Sequence, residues 1–307
     1  MPEGDTIHRA AAALRTALVG RQMVGFEAPR LTGPSPRVGR TIESVAAHGK
    51  HLEILWDDDV VLHTHMRMTG SWHLYRRDER WRKPRRMARV VIETIEWVAV
   101  CFNAPVVETY RADSFVRHPN SGRLGPDLCR DDADLDECVR RMMNYADPTK
   151  TIAEVLLDQR VMCGVGNVYR CEVLWACEIH PRAPVGVLPQ SACVELVRTA
   201  ATMLRANLHH TARITNADVP GGLAVYGRNH QRCERCRGII AVEQHGQPPR
   251  LLYWCPECQS GCQPAPRRDD SDGIARATDP HPAGAHFVAG LIDEHGRFTD
   301  LDEAAAS

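Results

Sequence analysis

Two cysteine pairs, Cys233-x2-Cys236 and Cys255-x2-Cys258, stand eighteen residues apart, and no other feature constrains the fold of this chain as tightly. Each CxxC turn lets two sulfurs converge on one side of a tetrahedral ion, and the interval suits a four-thiolate zinc site. Between the pairs, GIIAVE and PPRLLYW read as the two strands of a hairpin. A catalytic zinc keeps one coordination position open, whereas four thiolates close the shell. The expected cofactor is therefore one structural Zn2+ held by Cys233, Cys236, Cys255 and Cys258. The chain has twelve cysteines; the other eight lack such spacing, and Cys262 lies just outside the module. Thiols and a metal fit this pattern better than disulfides.

Upstream of this module the hydrophobic pattern changes twice. From Asp5 to Val19, Ile7, Ala11, Leu14 and Leu18 recur at spacings of four, three and four, predicting an amphipathic helix with Asp5 as N-cap and Gly20 as stop. Between about Gly20 and Ala112 short β-rich runs follow, among them HLEILW, DVVLHTH, ARVVIETIEW and VAVCFN, and they point to a β-sandwich. PNSGRLGPDL reads as a linker. Helical spacing returns over Leu135–Tyr145, Thr151–Leu157, Asn167–Cys177 and Gln190–Leu208. The expectation is an α+β multidomain chain: residues 1–120 a sandwich with its N-terminal helix, 130–222 helical, 225–260 the zinc module. Residues 261–307, rich in Pro, Asp, Ala and Gly, form an acidic tail expected to be mobile, with FVAGLI its one apolar stretch.

A net charge of −1 over 307 residues looks wrong for a nucleic-acid binder until its distribution is considered. From Cys262 to Ser307 there are nine acidic and four basic residues, so the chain before the tail is positive, near +4. Basic residues cluster at Arg76-Arg77 and from Arg80 to Arg89, with Trp81 among them. Such a run suits either a phosphate backbone or a plain solvated loop. The N-terminal MPEGDT has Glu3 and Asp5 where a signal peptide needs basic and then apolar residues, and no apolar run is long enough to span a bilayer. A cytoplasmic protein without membrane contact is expected.

Gly164-Val165-Gly166-Asn167 separates two helical patterns. Two glycines allow a tight turn that exposes backbone N–H groups at a helix start, which favours a phosphate; a simple connection capped by Asn167 has the same signature. With MPEGDTIHRAAAAL at the start, HGKHLEI around Lys50, QRVMCGVGNVYRCEVLWACEIHP in the helical half and RLLYWCPECQ at the cysteines, the chain resembles the Fpg/Nei family of DNA glycosylases from Met1 to about Gln259. The resemblance implies a helix-two-turn-helix domain, a zinc finger, and base excision coupled to strand cleavage.

In that setting Pro2 acts after removal of Met1. An α-amine titrates at about 7.7–8.0 against roughly 10.4 for lysine, so a neutral fraction exists near neutral pH. Attack on C1′ displaces the base and gives an iminium, an electron sink for β,δ-elimination. By similarity Glu3 is the general acid/base at the deoxyribose ring oxygen, and Lys50 meets the phosphates around the lesion. Asn167 and Arg250 clamp the backbone, contacts that position rather than specify. Arg67-Met68-Thr69 resembles the void-filling loop, with Met68 the wedge once the nucleotide leaves the stack. Glu172 ends the family's GxGNxYxxE pattern and is carried over as a DNA-site residue. Taken alone, Arg250 also reads as a solvated arginine, Met68 as core and Glu172 as a structural hydrogen-bond acceptor.

The formamidopyrimidine branch carries an Arg and a Phe in the loop after a D-P pair, where this chain has Asn103-Ala104-Pro105-Val106-Val107-Glu108. That departure favours the endonuclease VIII (Nei) branch and oxidised pyrimidines in double-stranded DNA, handled by a monomer. Three other readings stand beside it: oxidised-purine specificity; a non-catalytic zinc protein that binds nucleic acid, which would not need Pro2 and Glu3; and a metal-dependent hydrolase built on His63-x-His65, which lacks a third ligand at suitable spacing.

Overall fold

Residues 2–112, 124–262, 291–292 and 298–299 are described in a computed structural model. They fall mainly into two compact units, 2–112 with 208–211, and 124–207 with 212–262. The first half of the linker and most of the acidic tail, FVAGLI included but for its last two residues, lie outside the described residues.

The first unit opens with α1 (Gly4–Leu18). Ile7, Ala11, Leu14 and Leu18 are buried, as their spacing requires. The helix cap lies two residues earlier than the sequence suggested. Glu3, in extended conformation, is the N-cap, and Asp5 sits in the first turn, bonded to Arg9 Nη1 at 3.4 Å. An acidic side chain there suits the positive helix end without capping it.

Eight strands follow: β1 (Gly25–Glu27), β2 (Ile42–His48), β3 (His51–Trp56), β4 (Val60–His65), β5 (Ser71–Arg76), β6 (Ala88–Glu93), β7 (Trp97–Phe102) and β8 (Val106–Arg111). They form two four-stranded antiparallel sheets, in the orders β1-β6-β7-β5 and β2-β3-β4-β8. Leu52, Ile54 and Trp56 of one sheet and Trp72, Leu74, Ala99 and Cys101 of the other join α1 in one core. β7 is buried at all six positions, which explains its continuous apolar sequence. Trp97, Ala99 and Cys101 face the main core, while Val98, Val100 and Phe102 belong to a second cluster with Tyr75, Val91, Trp81 and Met87. Residues 77–87 therefore lie as a strap across the outer face of that sheet.

Polar groups pin the strap. Lys83 Nζ donates to Ser71 Oγ at 2.9 Å, Ser71 Oγ is 3.0 Å from His73 Nε2, and His73 Nδ1 is 3.1 Å from Tyr75 Oη, which also accepts from Arg82 N–H. Burial, with Lys83 and Arg82 nearby, pulls the His73 pKa down to about 3. The neutral ring then donates to one of these two hydroxyls and accepts from the other.

The second unit holds α2 (Leu135–Met143), α3 (Ile152–Val155), α4 (Asn167–Ala176), α5 (Gln190–Ala206) and a hairpin of β9 (Ala241–His245) and β10 (Arg250–Trp254). Asp134 and Thr151 cap α2 and α3 through their side chains. Every residue of α4 from Asn167 to Trp175 is buried, so this helix is surrounded and not amphipathic. No helix among the described residues is long and apolar enough to cross a membrane.

Candidate active site and nucleic-acid interface

In the first unit the sequence-predicted residues lie at a helix start and on two turns. Pro2 and Glu3 are buried, Glu3 completely. The Glu3 carbonyl accepts from Ile7 N–H at 3.1 Å, while its side chain makes no capping bond. The helix start thus sets the position of the carboxyl group. Gly49 and Lys50 form the two-residue turn between β2 and β3, closed by the His48–His51 pair. Gly49 has φ +56°, the left-handed geometry such turns require.

The residue after Lys50 opens a chain of hydrogen bonds that sequence reasoning missed. His51 Nδ1 is 2.8 Å from His63 Nε2, and His63 Nδ1 is 2.9 Å from Glu108 Oε1. The carboxylate accepts from His63 Nδ1–H, and when the His63 ring is neutral its Nε2 accepts from His51 Nδ1–H. The His51 and His65 rings are 4.8 Å apart, and His65 Nδ1 accepts from Arg67 N–H at 3.3 Å. Both nitrogens of His63 are engaged, so His63-x-His65 forms a relay and not a hydrolase's ligand set. The relay joins the Lys50 turn to the turn between β4 and β5, where Arg67 takes φ +44° and Met68 is 47% exposed. Exposure rules out the core reading of Met68.

In the second unit the sequence-predicted Asn167 opens α4. Gln159 holds the glycine turn, donating from Nε2 to Val165 O at 3.0 Å and accepting from Gly164 N–H at 3.2 Å; Gly164 has φ +103°. Asn167 Nδ2 and Arg170 Nη2 both donate to Leu251 O, at 2.8 and 3.2 Å. The next residue back is Arg250, half-buried at the start of β10. Asn167 and Arg250, more than eighty residues apart, are thereby brought to one place. Asn167 Oδ1 is buried without a hydrogen-bond partner.

Glu172 has a different task from the one carried over. It is completely buried, and its carboxylate accepts from the backbone N–H groups of Ala224, Val225 and Tyr226 at 2.7, 2.9 and 2.8 Å and from the Thr215 hydroxyl. Four protein donors and no exposure leave it nothing to offer DNA. It anchors the segment that leads into the cysteine module, which is the structural reading.

The four cysteine sulfurs lie within 4.8 Å of one another, with Cys233–Cys258 at 3.7 Å and Cys236–Cys255 at 3.4 Å. A tetrahedral Zn2+ with bonds of about 2.3 Å sets sulfurs about 3.8 Å apart, so the cluster fits that ion. Trp175 Nε1–H of α4 points at Cys233 Sγ, 3.4 Å away, an outer contact that orients a thiolate.

The formamidopyrimidine-DNA glycosylase N-terminal domain model matches residues 1–105, and its H2TH domain model matches residues 124–218. A probable endonuclease 8 2 of Streptomyces coelicolor is 37% identical over 89% of this chain and 99% of its own length. The DNA-(apurinic or apyrimidinic site) lyase Nei2 of Mycolicibacterium smegmatis is 35% identical over 85% and 99%. The structure of Lactococcus lactis Fpg bound to DNA containing an AP site superposes with a TM-score of 0.69 at 23% identity, covering 84% of this chain and all of the other, a likeness of fold.

Proposed function

Because the chain belongs to the Fpg/Nei family, with endonuclease 8 relatives along most of its length, we propose that it excises oxidised pyrimidines from double-stranded DNA and cuts the strand through an iminium on Pro2. It is a DNA glycosylase and AP lyase of base excision repair. The observation that carries the mechanism is the buried Pro2-Glu3 pair at the start of α1. The positive end of the helix opposes a proton on an amine beside it, which keeps the lone pair available.

With Met1 removed, the Pro2 nitrogen bonds to C1′ as the bond to the base breaks. Glu3 protonates the ring oxygen as the C1′–O bond opens, and the resulting iminium takes up the electron pair left when the C2′ proton departs. The 3′ phosphate leaves first and the 5′ phosphate second. Lys50 holds phosphates near the lesion, Met68 fills the vacated stack with Arg67 beside it, and Asn167 and Arg250 grip the backbone. The asparagine keeps one amide N–H beyond its bond to Leu251. Residues 1–120 carry the chemistry, 130–222 and 225–260 hold DNA, and Zn2+ on Cys233, Cys236, Cys255 and Cys258 keeps the hairpin rigid. The enzyme works as a cytoplasmic monomer.

The test is borohydride trapping on a duplex containing an abasic site or an oxidised pyrimidine. Wild type forms a stable cross-link, and protein that retains Met1 forms none because Pro2 is then an amide. An undiminished cross-link in the Pro2→Gly, Glu3→Gln double variant overturns the mechanism; stronger cutting of oxidised purines than pyrimidines overturns the specificity.

A further inference from the structure

We propose that the strap at residues 77–87, with Arg76 at its start, is a second phosphate-binding track, which takes the duplex backbone on one flank of the lesion. It rests on the DNA reading above. Arg76, Arg77, Arg80, Arg82, Arg85 and Arg86 are all exposed. A free basic loop would be an ordinary solvated face, but this one is fixed. Lys83 and the Arg82 N–H tie it to Ser71 and Tyr75. Trp81 stacks on Tyr75 at 6.1 Å and meets Phe102 edge-on at 5.9 Å. The charges are therefore held in place before any partner arrives, which lowers the entropic cost of binding one.

Some of these charges are already used. Arg76 lies over the Trp97 ring at 3.7 Å and near Glu96, and Arg85 is held by Glu27. Glu79 accepts from the Arg76 N–H and so serves the turn. No side-chain hydrogen bond or ion pair engages Arg77, Arg80 or Arg86 among the described residues. Three unpaired guanidinium groups on one ordered surface repel each other, and a polyanion relieves that repulsion.

Position selects the polyanion. The strap leaves β5 at Arg76 and returns at Met87, whose carbonyl accepts from Asn103 N–H at 2.9 Å. The Asn103 carbonyl in turn accepts from Thr69 Oγ1 at 3.4 Å, next to Met68. One end of the track thus lies beside the proposed wedge turn, and the other lies one strand length away, about 17 Å for six residues. That is about five base pairs, with phosphates at about 3.4 Å per strand, and guanidinium matches phosphate.

The test uses the full-length protein and two 20-base-pair duplexes with a stable abasic-site analogue four base pairs from one end or from the other. For wild type and R77Q/R80Q/R86Q the slope of log K against log salt is measured by fluorescence anisotropy. The variant's slope falls by about two to three on one duplex only, close to 0.9 for each phosphate that the protein no longer neutralises, and R77K/R80K/R86K restores it. An unchanged slope on both duplexes overturns the track. An equal fall on both assigns the arginines to the lesion site, and tighter binding of polyglutamate than of duplex, abolished in the variant, assigns them to an acidic protein. Wild type that binds duplex yet forms no borohydride cross-link fails the lyase mechanism and leaves the track to be judged by its slopes.

Discussion

Each unit uses a buried titratable side chain to hold an irregular segment, and the two do so in opposite ways. In the helical unit Glu172, an acceptor-only carboxylate, gathers three backbone N–H groups and a hydroxyl. In the sandwich His73, kept neutral, passes hydrogen bonds between Ser71 and Tyr75 under the strap. The first segment leads into the metal module, where backbone donors must be satisfied at depth. The second carries arginines above it, and a charged histidine there would add to their repulsion. A buried group is thus chosen in the charge state that the chain around it can satisfy.

Removing the anchor in the helical unit should cost most. Glu172→Ala leaves three buried N–H groups and a hydroxyl without an acceptor, and a loss of about 3–5 kcal/mol is expected, measured by urea unfolding and by faster amide exchange at residues 224–226. If stability holds while DNA affinity drops, Glu172 is a DNA contact after all and the comparison breaks. The sandwich anchor should show itself through pH. Unfolded His73 takes up a proton near 6.5 and the folded residue only near 3, so acid favours the unfolded state between those values. Stability conferred through this site falls by up to about 1.4 kcal/mol per pH unit, and by about 1.6 kcal/mol from pH 6.5 to 5. Melting curves of His73→Gln should lack that component; a parallel pH response in both proteins would mean the ring is not buried neutral. The smallest effect is expected at Trp175→Phe, which deletes one N–H···S contact to Cys233. A loss of about 1 kcal/mol should appear as faster zinc release to a chelator, with the Glu172 anchor intact.

The same contrast explains what can be read from the sequence. The four clustered cysteines are local in sequence: a turn and a spacing declare the cluster before any tertiary structure is known. The helix at Gly4–Leu18 is local too, and its start differs from expectation because a short acidic side chain at Asp5 imitates a cap. Met68 declares itself as a large apolar residue in a turn between strands. His51, His63 and Glu108 do not, because strand register, His51 opposite His65 and His63 opposite Glu108, makes them neighbours. Asn167 and Arg250 are legible through family resemblance, while the carbonyl of Leu251 that joins them leaves no trace in side-chain chemistry. Glu172 closes a motif whose last glutamate turns inward.

The bond from Asn167 to Leu251 spans 84 residues, and that distance is also a delay. A ribosome adding about 5–20 residues per second needs roughly 4–17 s to deliver Leu251 after Asn167. Through that interval the buried face of α4 has no hairpin to close on it, and the metal can be captured only once Cys258 has followed. The packing of α4 against the hairpin therefore arrives late in synthesis, when the sandwich has already left the exit tunnel.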